Sequence, residues 1–362
     1  MLIHACISGH GFGHGSRTAA VLTALHALEP DWRLVLSTSL PPSFLELAFG
    51  PVPFELRPCR WDVGVIQADA LGADGPATLA ALERLERELP AQLERELAWL
   101  QARRQPVLVL GDVPPAAAAL ARGLGAPLVW MANFGWDSIY RPMGGAFEAW
   151  ADRALAAYRS GDALIRCPLA LPTPWDLPTL EIGLTAGHPR HPADGLRRRL
   201  GLNHPRERTV LVGFGGLGLS LDPALFARWP EHRFLVSDAA WAAAAPNLTL
   251  LPADLRPLEV LPLCGRVITK PGYSTFCEAL SGGVGIHLVQ RRGFAEAPVL
   301  EQALQRHGHH RLLSRGQLER GDWQLDQPLL PPSGEALPTD GCERAAAHLQ
   351  DLGRNLLQRG GR

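Results

Sequence analysis

Between an apolar run, Leu2 to Ile7, and a helix-like segment, Thr18 to Leu28, the chain reads Ser8-Gly9-His10-Gly11-Phe12-Gly13-His14-Gly15-Ser16-Arg17. Strand, glycine turn and helix in that order constrain the fold more than any other stretch. Four glycines at alternate positions strip the Cβ atoms from one tight turn. Backbone N–H groups and a helix N-terminus can then approach an anion closely. His10 and His14 sit in the same turn. A phosphate cradle needs no histidine, whereas a site that binds a charged group and also moves a proton can use one.

The chain has 362 residues, a length that suggests two domains, and a hydrophobic fraction of 46%, ample for two cores. A net charge of −1 argues against a nucleic-acid surface. Met1 to Cys6 shows no basic region or long apolar stretch of a signal peptide, and no apolar run is long enough for a membrane span, so a cytoplasmic location is expected. Cys6, Cys59, Cys167, Cys264, Cys277 and Cys342 are scattered singly, mostly within apolar runs, and read as buried free thiols. Lys270 is the sole lysine.

Strand-like and helix-like runs alternate, which favours α/β with parallel sheets. Strands are predicted at 2–8, 33–38, 54–59, 106–111, 127–132 and 162–167, and helices at 16–29, 42–48, 76–103, 114–124 and 144–160. Leucines at 79, 82, 85, 89, 93, 97 and 100 form one apolar stripe, with the charges from Glu83 to Arg95 as a solvated face. Six prolines fall in 168–193, and 171–193 reads as a linker between domains at 1–170 and 194–340. The second domain predicts strands at 209–214, 233–237, 248–251, 266–270 and 286–290, and helices at 194–200, 222–228, 273–281 and 297–307. The stretch 320–340 reads as a loop. A last helix within 341–362 is free to cross back to the first domain. Both halves open with strand, glycine turn and helix, so two Rossmann-like domains would bring both turns to a shared cleft.

Several strand ends carry candidate chemistry. Gly213-Phe214-Gly215-Gly216-Leu217-Gly218 formally matches a dinucleotide fingerprint, with Asp238 at the end of the next strand as its ribose acid, and Asp222-Pro223 reads as a helix cap. Thr269-Lys270-Pro271-Gly272-Tyr273-Ser274-Thr275 runs from strand end into helix start, where Ser274 and Thr275 N–H groups could meet a phosphate and Glu278 a ribose. The competing account is a capping box of Thr275 and Glu278. Arg291 and Arg292 could offset phosphate charge and Glu296 hold sugar hydroxyls, or the same residues could form a solvated loop. Asp112 and the stretch Asn133-Phe134-Gly135-Trp136-Asp137 end strands of the first half and would point toward His10 and His14; an Asp before Pro is also a common helix cap. No histidine spacing suggests a metal site.

Together these motifs resemble the GT-B glycosyltransferases, in particular the MurG-like branch, and more closely the glycosyltransferase-like N-terminal region of L-arabinokinases. Gly9 to His14, Asn133 to Tyr140, and Pro271 to Thr275 through Arg291-Arg292 to Glu296-Ala297-Pro298 carry the likeness, which runs over most of residues 1–310. It implies a GT-B fold, two Rossmann-like domains with parallel sheets facing a central cleft. It implies transfer of a sugar from a nucleotide-diphosphate donor, a UDP-sugar first among them, to an acceptor hydroxyl, by inversion and without a metal or other cofactor. His14 would be the base, with His10 and Asp112 beside it. Gly215, Gly216, Lys270, Gly272, Ser274, Thr275, Glu278, Arg291 and Glu296 would bind donor. Gly11, Gly13, Asn133, Trp136 and Asp137 would meet the acceptor, which could be a sugar, a small molecule or a lipid-linked group. A peripheral membrane contact around Trp130 to Tyr140 is left open. No ATP loop is visible, so phosphorylation is not implied. Three other readings compete: a nucleotide-sugar binder without transfer activity, a nucleotide-sugar 2-epimerase, which would need further acids, and an NAD(P)-dependent oxidoreductase using Gly213 to Gly218.

Overall fold

The computed structural model describes residues 1–66, 74–214, 221–241, 244–291 and 294–360. They fall into two compact units. One holds the described residues from Met1 to Thr185 and those from Pro338 onward; the other holds Ala186–Leu337.

The first unit is built on seven parallel strands: β1 (Leu2–Ile7), β2 (Arg33–Thr38), β3 (Glu55–Pro58), β4 (Val107–Asp112), β5 (Leu128–Ala132), β6 (Ala163–Arg166) and β7 (Thr179–Glu181), in the order β3-β2-β1-β4-β5-β6-β7. Every residue of β1 and β4 is buried, which is why both read as near-continuous apolar runs. The helices are α1 (Phe12–Leu28), α2 (Pro42–Phe49), α3 (Gly75–Gln101), α4 (Ala117–Leu124), α5 (Trp136–Tyr140) and α6 (Phe147–Arg159). In α3, Asp74 caps the start by accepting from the Ala77 N–H at 2.9 Å. Leu82, Leu85 and Leu100 face inward, and the charged residues between Glu83 and Arg95 lie on the outer face. Glu96, one residue beyond that charge run, turns inward and pairs with Arg57.

Helix α1 begins at Phe12, earlier than the 16–29 read from the sequence, so Gly13, His14 and Gly15 belong to its first turns. Glycine's low helix propensity hid this. The glycines answer a packing demand instead. A Cβ on Gly15 would lie 2.5 Å from Phe44 and 2.7 Å from Leu40, and one on Gly9 would overlap the Ser39 hydroxyl.

In the second unit the described strands are β8 (Thr209–Gly213), β9 (Arg233–Val236), β10 (Leu248–Leu250), β11 (Arg266–Thr269), β12 (Gly285–Val289) and β13 (His310–Leu313), again parallel, in the order β10-β9-β8-β11-β12-β13. Its helices are α7 (Ala193–Arg199), α8 (Pro257–Val260), α9 (Tyr273–Ser281), α10 (Glu296–His307) and α11 (Arg315–Glu319). The predicted helix at 222–228 is a 3₁₀ turn, Pro223–Arg228, capped by Asp222. The stretch read as a linker contains β7, and β13, α8 and α11 had no sequence signal. All are short, so neither period repeats often enough to register. Trp323, from the proline-rich loop, is fully enclosed in this unit's core against Phe226 and Phe234.

The last helix, α12 (Gly341–Gly360), packs on α1 of the first unit. Gly353 lets Trp32 lie against the helix, where a Cβ would collide with the indole ring. Glu29 accepts from Gln350 at 2.8 Å and from Arg354 at 2.7 Å. All six cysteines are buried and free. No helix among the described residues is long and apolar enough to cross a membrane.

Two histidines are enclosed in the sheets. His4 in β1 has no hydrogen-bond partner at either ring nitrogen; burial, then the charge of Arg57, lowers its pKa to about 3. Burial, then Arg266, lowers His287 in β12 to about 3 as well, although its ring is bonded to Trp323 and Arg266. Both sit below the ordinary 6.5, so the unfolded chain binds more protons between those values. The contribution of these two rings to stability should therefore be level above about pH 6.5 and fall as the pH drops toward 3, each ring costing ~1.4 kcal/mol per pH unit across that window. His4→Leu should keep the melting temperature at pH 7.5 and remove the His4 share of the acid decline, ~1.4 kcal/mol per pH unit between about pH 6 and 5. An unchanged decline would mean that His4 titrates normally.

Candidate active site

In the first sheet the chain leaves β1 toward β2 on one side, while β4 lies on the other. The carboxyl ends of β1 and β4 therefore flank a topological switch point, where open α/β sheets bind ligands. Ile7 and Asp112, the last residues of these strands, are register partners, and the Ser8 N–H donates to the Asp112 carbonyl at 3.2 Å. Asp112 thus stands directly beside the glycine turn.

His14, in the first turn of α1, places Nδ1 2.9 Å from Asp112 Oδ1. Arg17 donates through Nε to Oδ2 at 3.1 Å and through Nη2 to Oδ1, and the Thr18 hydroxyl donates to Oδ2 at 2.7 Å. Burial works to raise the pKa of Asp112, but the charges and hydrogen bonds of Arg17 and His14 outweigh it and hold the carboxyl at about 2. An ionised carboxylate only accepts, so in the neutral ring Nδ1 of His14 carries the proton and Nε2 keeps its lone pair. A histidine oriented in this way by a buried acid can take a proton from a hydroxyl. Val113, the next residue, has φ of 67°, a left-handed conformation costly for a β-branched residue. Its carbonyl is held by the Tyr158 hydroxyl at 2.7 Å.

His10 is placed differently. Its Nδ1 accepts from the Val65 N–H at 3.3 Å, so in the neutral ring the other nitrogen bears the proton, and this histidine is set to donate. Its ring covers Gly64, whose φ is +70° and whose missing Cβ would overlap the imidazole. Gly11 is the extended N-cap of α1, with no side-chain cap bond and open space about its Cα; Gly13 lies in the first turn.

Asn133, Trp136 and Asp137 are 0%, 1% and 4% exposed. Asn133 accepts from Arg17 Nη1 at 2.7 Å, and Trp136 donates from its indole N–H to Asp62 at 2.8 Å. The Asp137 carboxylate lies against Gly135, with Tyr158 and Trp175 around the same point, and burial raises its pKa. Asn133 and Trp136 thus join the His14 cluster through other side chains, while the Asp137 carboxylate stays in the first turn of α5 with Oδ1 buried and without a hydrogen-bond partner.

Three residues of the cluster had not been singled out. Arg17 and Thr18 follow His14 at i+3 and i+4, the spacing that shares a helix face, and the later predicted helix start concealed that relation. Asp62 lies in a segment with no motif. Burial raises its pKa against the hydrogen bonds of Ser8 and Trp136 and the charge of His14.

The second sheet has its own switch point between β8 and β11. Gly272 is the N-cap of α9 with no side-chain cap bond, which removes the capping box and leaves Ser274 and Thr275 in a helix first turn. Lys270 ends the preceding stretch; burial, then the charge of Arg291, lowers its pKa to about 8. The Arg291 guanidinium lies 4.5 Å over the Phe294 ring. Burial, opposed by Arg256 and aided by Glu259, raises Glu278 to about 7. Glu296 opens α10 and is buried. The structure thus brings Lys270, Gly272, Ser274, Thr275 and Arg291 to the ends of adjacent strands β11 and β12. Gly215, Gly216 and Arg292 lie outside the described residues. Asp238, the acid of the dinucleotide fingerprint, caps its own turn by accepting from the Ala240 N–H at 2.9 Å. Among the described residues no three His, Cys, Asp or Glu side chains gather as a metal site requires.

No known family profile matches the chain. An L-arabinokinase of Arabidopsis thaliana is 29% identical over 331 residues, 88% of this chain and 31% of that protein, so the chain spans about a third of the length of that relative. Among solved structures, UGT2 of Phytolacca americana, complexed with UDP-2fluoro-glucose and pterostilbene, matches with a TM-score of 0.62 at 15% identity, over 98% of this chain and 94% of that one. A UDP-glucosyltransferase of Polygonum tinctorium that glucosylates indoxyl gives 0.62 at 16%, over 98% and 93%. The spinosyn forosaminyltransferase SpnP gives 0.60 at 15%, over 99% and 95%. Two parallel-sheet α/β units and this set of structural relatives identify the fold as GT-B.

Proposed function

We propose that the protein transfers a sugar from a nucleoside-diphosphate sugar to an acceptor hydroxyl, with inversion and without a metal. The observation that carries this reading is the His14–Asp112 pair at the switch point of the first sheet. Its Nε2 would take the acceptor proton as the acceptor oxygen bonds to the sugar C1. The C1–phosphate bond would break, and the nucleoside diphosphate would leave with the electron pair. The solved relatives named for UDP-sugars support a UDP-sugar donor, and the histidine-bearing glycine turn supports the MurG-like branch.

In the second unit, the uncapped start of α9 and the cations Lys270 and Arg291 would offset the departing diphosphate charge, a task a metal performs elsewhere. Gly215 and Gly216 would add backbone donors. Glu278 would accept from the ribose hydroxyls, and Glu296 would meet the sugar. In the first unit, Gly11 and Gly13 would let an acceptor approach His14. His10 would donate to it, and Asn133 and Trp136 would act from behind, through Arg17 and Asp62. A lipid-linked acceptor would require peripheral membrane contact, and the chain would act in the cytoplasm.

A thermal-shift screen against UDP, GDP, dTDP, ADP and NAD tests the donor assignment. One nucleoside diphosphate should raise the melting temperature selectively, with slow hydrolysis of its sugar form. A shift with NAD alone would overturn the reading, and a shift without hydrolysis or transfer to any acceptor would favour a binding protein. His14→Ala should lower turnover by roughly 10²–10⁴-fold while donor affinity stays the same. A loss of donor affinity instead would move His14 to the nucleotide.

The donor site also carries a pH signature. Glu278 accepts best when ionised, above about 7, and Lys270 is charged below about 8. Nucleotide affinity should therefore be highest between pH 7 and 8, and Glu278→Gln should weaken it and flatten the acid side. Unchanged affinity in that variant would leave Glu278 without a ribose role.

A further inference from the structure

We propose that Arg17 is a positioning residue that sets the proton affinity of His14 through the carboxylate they share. The inference rests on the transferase reading for its purpose, though not for its test.

A carboxylate beside an imidazole normally favours the imidazolium by opposing its charge. Here the Asp112 charge is already opposed. Arg17 grips both carboxylate oxygens as a fork, is 1% exposed, and has Nη2 3.3 Å from His14 Nδ1. Asn133 anchors the remaining arm of the guanidinium at 2.7 Å. With His14 neutral, the Arg17–Asp112–His14 group carries no net charge; with His14 protonated it carries +1 among buried side chains. Arg17 therefore counters the proton uptake that Asp112 alone would promote, and it fixes the carboxylate in the orientation that holds His14 by Nδ1.

The other groups facing His14 do not replace this effect. Thr18, on the same helix, bonds Oδ2 but is neutral. Phe134, from the segment after β5, meets His14 with an uncharged ring in a T-shaped contact, centroids 5.6 Å apart. Asp62, from the segment after β3, is within charge reach of His14, and its carboxyl is drawn toward Ser8 and Trp136. The buried cation in the group is Arg17. For a transferase this arrangement would favour an Nε2 lone pair for the acceptor hydroxyl and ease release of the proton afterward.

The test is an NMR titration of the His14 imidazole in the full chain, assigned with His14→Gln and needing no substrate. Arg17→Gln keeps hydrogen-bond donors but removes the charge, and the titration midpoint should rise by about one pH unit, tenfold in proton affinity. Arg17→Lys keeps the charge, and its midpoint should stay near that of the parent protein. Thr18→Val removes a neutral donor from the same carboxylate and should also leave the midpoint in place. An unmoved midpoint in folded Arg17→Gln, or an equal rise in Thr18→Val, would overturn the proposal. If Arg17→Gln fails to fold, a rise of about one unit in Arg17→Lys would overturn it equally. Should the parent protein turn over no sugar nucleotide, the transferase reading fails by itself and the titration still decides the role of Arg17. Where turnover is found, the acid limb of kcat should move upward in Arg17→Gln with donor KM unchanged.

Discussion

One buried carboxylate ties the first unit together. Asp112 ends β4, lies level with the end of β1, and is shared by His14, Arg17 and Thr18, all from the first two turns of α1. The charge would be prohibitive to bury unpaired. Its partners therefore dictate where α1 starts and how closely it approaches the sheet. Gly9 and Gly15 follow from that approach, since any side chain there would strike Ser39, Leu40 or Phe44. The strained φ of Val113 follows as well, because the chain must turn at once after delivering the carboxylate.

The two units solve a related problem with different chemistry. Each places a helix start at the switch point of a parallel sheet. In the first, the helix brings a histidine and its own counter-ions. In the second, cations from neighbouring strand ends stand near a helix start that no side chain caps. The first arrangement suits proton movement and the second suits an anion. On the proposed transferase reading, the first would take the acceptor proton and the second would hold the donor diphosphate.

Most of the architecture was legible in the sequence because buried parallel strands leave unbroken Val, Leu and Ile runs and long helices leave stripes. The Leu stripe of α3 and the run at 107–112 are examples. What escaped was short or depended on distant partners. Strand β7 has three residues, and Trp323 is held in the second core from inside a proline-rich loop. At the candidate site, the His14–Asp112 pairing followed from the placement of both at strand ends. Arg17 and Thr18 were hidden by glycines that delayed the apparent helix start. Asp62 was invisible because its meaning lies in a bond to Trp136, 74 positions away.

The return of α12 to α1 has a consequence for synthesis on the ribosome. The face of α1 that α12 covers, with Trp32 and Glu29 beside it, waits for a helix whose Gln350 lies 321 positions beyond Glu29. Residues 186–337 emerge as a continuous insert and can reach their own native pairing while the earlier unit is still open along one side. The Leu184 N–H donates to the Pro338 carbonyl at 2.7 Å, where the chain departs and returns. Closure of the histidine-bearing unit therefore cannot precede the synthesis of α12, and until then the face of α1 that meets it is open.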